Sequence, residues 1–146
     1  MPTAAKLIGA AFLTITALYA TYLSLSVEQT IYLNYKIYFV NAAIGLWVGW
    51  RSIGADPGMG GMGSIVSGMR GLVLLVVYST VAFGCWVVIV KLQNFFIRNF
   101  EDILVSWWKG ILDYLSIISA PEIVLVFVIG ACISGVSAGL ANRYWS

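Results

Sequence analysis

Residues 71–90 read GLVLLVVYSTVAFGCWVVIV, a run without a single charged side chain. Crossing about 30 Å of hydrocarbon takes about 20 helical residues, because in lipid every backbone N–H and C=O must be bonded within its own segment. This run has that length, and its reading decides the fold. Leu7–Val27 and Ile123–Asn142 are charge-free over similar lengths. Ile37–Trp50 is shorter and reaches spanning length from near Tyr32, with Lys36 extending its ammonium to the headgroups. The composition agrees: 61% of the 146 residues are hydrophobic and 10% are charged, against about 25% charged in an average globular protein. So few charges cannot cover the surface of a soluble domain of this size, and they also exclude disorder and a coiled coil.

Asn99–Ala120 has a different pattern. Asp102, Ser106, Lys109, Asp113 and Ser116 recur at helical spacing, opposite Leu104, Trp107, Trp108, Ile111, Leu115 and Ile118. A wide apolar face with two tryptophans suits the headgroup region, so this segment is expected to lie on the membrane surface; a fifth span would carry Lys109 and Asp113 into lipid. The expected fold is thus an all-α integral membrane protein, a single domain over residues 1–146. Its four transmembrane helices cover about 7–27, 32–52, 71–93 and 122–142, and one amphipathic interfacial helix covers about 101–119 between the third and fourth.

Four spans put both termini on one side, with Lys6, Arg51, Arg70 and Arg143; Lys36, Lys91, Arg98 and Lys109 fall on the other. The basic residues do not choose between the sides, but Glu28, Glu101, Asp102, Asp113 and Glu122 load the second side with acid. Cytoplasmic termini are therefore expected, together with a cytoplasmic Gly54–Gly63 connector (GADPGMGGMG). That connector lacks the GxxxxGK[ST] pattern of a phosphate loop and reads as a flexible link.

Little in the chain suggests catalysis. Histidine is absent, which removes the commonest general base and the imidazole that holds bacteriochlorophyll or haem. Cys85 and Cys132 stand singly in apolar runs and read as small buried side chains. Glu101 and Asp102 are adjacent and diverge by about 100° on a helix, where they complement the N-terminal dipole. The spans carry no ionisable group at their centres; Asn41 is the most polar side chain there, joined by Thr14, Thr16, Ser79, Thr80, Ser134 and Ser137. No catalytic residue, metal site or cofactor is expected, contact with lipid, quinone or carotenoid excepted. With a net charge of +2, nor is a nucleic-acid partner.

Packing leaves the clearest marks. Asn41, Gly45 and Gly49 lie four apart, as do Ala131, Gly135 and Gly139, with Gly130, Ser134 and Ala138 in a parallel row. Small residues at this spacing let helix backbones approach closely. The two ridges could pack on one another, or one could receive the helix of another protein. Trp47, Trp50, Arg51 and Trp145 mark one membrane border as interface anchors, and Trp107 and Trp108 anchor the amphipathic segment.

MPTAAKL at Met1–Leu7, NAAIGLWVGWRSIG at Asn41–Gly54, and a last span closing on Asn142-Arg143-Tyr144-Trp145 resemble the tellurium resistance protein TrgA family, small membrane proteins of alphaproteobacteria, many of them phototrophs. The resemblance implies a multi-pass protein of the bacterial inner membrane and carries no catalytic residues; shared functional positions would be Asn41, Gly45, Gly49, Trp50 and Arg51. Two functions follow. One is a non-catalytic accessory subunit packing against other transmembrane subunits of a larger inner-membrane assembly, with photosynthetic reaction-centre–light-harvesting and respiratory complexes as candidates. The alternative is tellurite resistance or transport, as the family name implies. The chain purified in mild detergent should show no stoichiometric macrocycle band in its absorption spectrum. A band abolished by Cys85→Ala or Cys132→Ala would refute the absence of a side-chain ligand.

Overall fold

The computed structural model describes residues 4–27, 36–56, 60–94 and 99–144, and all regular structure among them is helical. In chain order these are α1 (Ala4–Val27), α2 (Lys36–Val48), α3 (Gly60–Gln93), α4 (Phe100–Ile118) and α5 (Pro121–Tyr144). Three helices, α1, α3 and α5, are long and apolar enough to cross a membrane. The expected second span falls partly outside the described residues. Its α-helical part has 13 residues, about 20 Å. The chain then coils on through Gly49–Ile53 in a wider turn closed by Gly54 N–H to Gly49 C=O, 2.9 Å. The α-helix there is shorter than sequence reading expected, so the span would have to be completed by this wide turn.

Glycine contacts set the arrangement. Against α1, a Cβ on Gly45 would stand 3.0 Å from Thr14 Cα, and one on Gly49 2.6 Å from Ala10 Cα and from the Gly9 carbonyl oxygen. A Cβ on Gly54 would collide with Lys6, so α2 and its wide turn descend α1 in the antiparallel direction. On the other side, Gly68 of α3 meets the Ala131 carbonyl of α5, and Gly135 meets that of Ser64, at separations no Cβ could occupy. Gly130 faces Thr16 of α1. Both ridges are therefore spent inside the chain, on different helices: Asn41, Gly45 and Gly49 face α1, while Ala131 and Gly135 face α3. Gly139 is half-buried. The ridges do not pack on one another.

Two further expectations change. Gly60–Gly63, read as connector, is the first turn of α3, entered at Gly60 with φ +76°, a conformation glycine adopts freely. Pro57–Met59 lie outside the described residues. The second change concerns α4. Its contacts climb α3 step by step: Ser106 at Lys91 (3.3 Å), Gly110 against Gly84 and Val87, and Tyr114 stacked on Phe83 with centroids 4.8 Å apart. The helix thus runs antiparallel to the outer part of α3. It presents Ser106, Gly110, Tyr114, Ile117 and Ile118 inward and leaves Leu104, Trp108 and Leu115 exposed. A short turn at Ser119–Ala120 ends it, and Pro121, whose missing N–H costs nothing at a helix start, opens α5. At 34 residues, α3 is about 50 Å long, and α5 and α4 divide that length between them.

Gly49→Leu and Gly135→Leu should each destabilise the bundle by at least the ~1–3 kcal/mol typical of overpacking, because the obstructing atoms are backbone. Val73→Ala, on an exposed face of α3, should be nearly neutral. Thermal unfolding in detergent measures all three, and indistinguishable midpoints would contradict the close-approach assignment.

Candidate functional site

A group of buried polar side chains meets where α1, α2, α3 and α4 come together. Asn41 is 5% exposed, and its Nδ2 donates to Thr21 Oγ1 at 2.8 Å and to Tyr114 Oη at 3.4 Å. The Tyr114 ring stacks on Phe83 of α3. Hydrogen bonds thus tie α1, α2 and α4 at one level, and the Phe83–Tyr114 stack adds α3. Beside the cluster lies a cavity of about 240 Å³ between α2 and α3. Trp86 forms part of its wall, and Lys36 Nζ stands 6.0 Å from the Trp86 ring centroid. Cys85 also lines it and is exposed, not buried as its apolar setting suggested; Cys132 is half-buried.

Nearly every hydroxyl expected to face the interior is occupied locally. Thr14, Thr16, Thr21 and Thr80 donate to the carbonyl four residues earlier at 2.7–2.9 Å. Ser134 donates to Ala131 C=O at 3.0 Å and Ser137 to Ile133 C=O at 2.6 Å. Such back-bonding lets a hydroxyl reside in an apolar medium without a distant partner. It leaves these groups with little capacity to hand a solute along a path.

A second polar place lies at the other end of α2. Arg70 Nη1 donates to Asp56 Oδ2 at 3.1 Å and Nη2 to the Ser52 carbonyl at 3.1 Å, while Ser67 Oγ donates to the Asp56 carbonyl at 2.6 Å. The pair is largely exposed, so its worth is at most about 1 kcal/mol. These bonds fasten the end of the wide turn to α3. Arg51 is exposed on the same side, with Trp47 packed edge-on against Tyr78 at 5.3 Å between centroids. Sequence reading named Trp47, Trp50 and Arg51 as anchors, and the structure leaves all three exposed at this end. Ser52 and Asp56 of the same segment join them, and α3 brings Arg70 and Tyr78 alongside, an approach that no local spacing records.

Of the remaining anchors, Trp108 is exposed, Trp107 packs at Gly84, and Trp145 lies outside the described residues. Ser52 Oγ and Trp107 Nε1 are buried without a hydrogen-bond partner among the described residues. No group of three metal-ligating side chains occurs among those residues. Comparison with protein-family models, curated proteins and solved structures finds no match.

A double-mutant cycle on Asn41→Ala and Tyr114→Phe, read from reversible unfolding in mixed micelles, should give a coupling near the ~0.6 kcal/mol typical of interhelical polar pairs, and no more than about 1.7. Zero coupling would show that the 3.4 Å contact is not a bond.

Proposed function

We propose that the chain is a non-catalytic accessory subunit of a larger assembly in the bacterial inner membrane. In this reading α1, α2 with its wide turn, α3 and α5 form four passes with cytoplasmic termini, and α4 stands at the bilayer border beside the outer third of α3. The observation that carries it is the outward face of α4. Lys109 and Asp113 lie between Ser106, level with Lys91, and Tyr114, level with Phe83, and so beside the last turns of the charge-free run of α3. Both are exposed, and neither has an ion-pair partner among the described residues. A charge facing lipid costs about 2.5–3.5 kcal/mol at the bilayer centre and less toward the border, unless it is paired. Trp108, Leu104, Val105 and Leu112 complete an exposed face around them. A helix of another subunit carrying complementary charge would relieve that cost and cover the apolar residues. The interior supports the same reading, since its hydroxyls and Asn41 are committed to holding the helices.

Extraction from native membranes in mild detergent, followed by mass spectrometry of the native-gel band, tests this. The wild-type chain should migrate with a transmembrane protein at fixed stoichiometry. Lys109→Ala with Asp113→Ala should break that association, while Val73→Ala retains it. Migration as an isolated 15.9 kDa chain, with tellurite tolerance lost on deletion, would instead favour the resistance role implied by the TrgA resemblance.

A further inference from the structure

Three cavities follow one another along the seam between α2 and α3. The first, about 370 Å³, opens at Arg51, Ser52, Asp56 and Arg70 and has Trp47 and Tyr78 on its inner side. The second, about 380 Å³, shares those two aromatic rings and continues past Ala43, Ile44, Val81 and Ala82. The third shares Ala82 and ends at Asn41 and Trp86. Because α2 is drawn onto α1 by Gly45 and Gly49, its opposite face stands off from α3, and these spaces join into one groove. Its first end is polar and its body is apolar. From Arg70 to Ala82 the groove is about 18 Å long by helical rise, the reach of a membrane acyl chain.

The polar end carries unspent capacity for an anion. Two guanidinium groups face one carboxylate there, leaving a net positive charge. Arg70 is held by Asp56 and the Ser52 carbonyl, while Arg51 has no partner among the described residues. Ser52 is 9% exposed, and its hydroxyl, buried at the wall of this cavity, has no hydrogen-bond partner among the described residues. A phosphate oxygen would satisfy that hydroxyl and pair with Arg51. The location matches a headgroup as well: Arg70 immediately precedes the charge-free run of α3, and Trp47 and Tyr78 stand where amphipathic rings meet the lipid border. The far end offers less, because the Asn41 amide nitrogen is engaged by Thr21 and Tyr114. This polarity, charged at one border and apolar inward, disfavours a neutral quinone or carotenoid.

We propose that the α2–α3 groove binds one anionic phospholipid from the leaflet on the Arg51–Arg70 side. Its phosphate lies against Arg51 and the Ser52 hydroxyl, and one acyl chain runs past Trp47 and Tyr78 to Ala82. This assignment stands independently of any partner subunit.

Delipidated protein in detergent is titrated with phosphatidylglycerol and with phosphatidylcholine of identical chains, and bound lipid is counted by native mass spectrometry. The first phosphatidylglycerol should bind about fivefold or more tightly than phosphatidylcholine, as expected of one basic side chain acting on an anionic headgroup. Arg51→Gln, at an exposed position without a partner among the described residues, should erase that preference and leave helicity unchanged, weakening phosphatidylglycerol more than phosphatidylcholine, whose choline already offsets the phosphate charge. Ala82→Trp should weaken both lipids by filling the apolar body. Equal affinities for the two lipids, a preference that survives Arg51→Gln, or Ala82→Trp without effect would overturn the assignment. So would displacement of the lipid by millimolar inorganic phosphate, which would mark a site for the free anion.

Discussion

Close approach of helix backbones governs this bundle. Between lipid and protein there is no hydrophobic force to press helices together, since an acyl chain is as apolar as a leucine; association depends on contact area and on bonds that close spacing permits. Gly68 at Ala131 and Gly135 at Ser64 are the tightest expressions of this. Each removes a side chain so that a carbonyl can take its place. The buried set that results is rich in alanine, serine, threonine and glycine, while Val73, Val77, Leu125, Ile129 and Ile133 face outward. Leu13, Ile53, Leu75, Phe83, Ile123 and Phe127 fill the interior between these close contacts, and the small residues bring the helices within reach of one another.

That constraint also explains where polar side chains sit. A hydroxyl bonded to the preceding turn of its own helix is small enough for a close interface and needs nothing across it. Thr14 and Thr16 on α1 and Ser134 on α5 are of this kind. Asn41 cannot satisfy its amide alone, and it draws Thr21 and Tyr114 to itself. Such a bond contributes modestly to stability in lipid, because a polar group always finds some partner there. It contributes to register, since a one-residue slip of α2 along α1 would rotate Asn41 by about 100° away from Thr21.

The sequence discloses this architecture unevenly. The absence of charge over Leu7–Val27, Gly71–Val90 and Ile123–Asn142 suffices to place α1, α3 and α5, because a long apolar helix has one physical use. Spacing suffices to mark Gly45, Gly49, Ala131 and Gly135 as ridge residues. It cannot say which helix receives a ridge: that choice is made by Gly9, Ala10, Ser64 and Gly68, whose roles exist only once α1 and α3 lie alongside. The amphipathic pattern of α4 is legible for the same reason as the spans. Its docking is not, because the inward set joins Ser106 and Gly110 to Tyr114, Ile117 and Ile118, a mixture that no apolar stripe marks out. The helix leaves Leu104, Trp108 and Leu115 exposed, while Trp107 packs at Gly84.

The groove and the long third helix follow from one imbalance. A wide turn at Gly49–Ile53 carries the chain from α1 toward α3 without a break, so the end of α2 is held to both, by Gly54 at Lys6 and by Arg70 at the Ser52 carbonyl. Higher up, α2 is held to α1 by glycine contacts, and it meets α3 through the edge of Trp47 on Tyr78 and, at its start, through Lys36 at Trp86. A helix pinned at both ends to a neighbour, and flush along its length with another, must leave a seam where it is not flush. On α5 the opposite holds, since Gly68 and Gly135 close that interface to backbone contact. The bundle is consequently shut on the α5 side of α3 and open on the α2 side, and the open side is the one that carries Arg51 and Arg70.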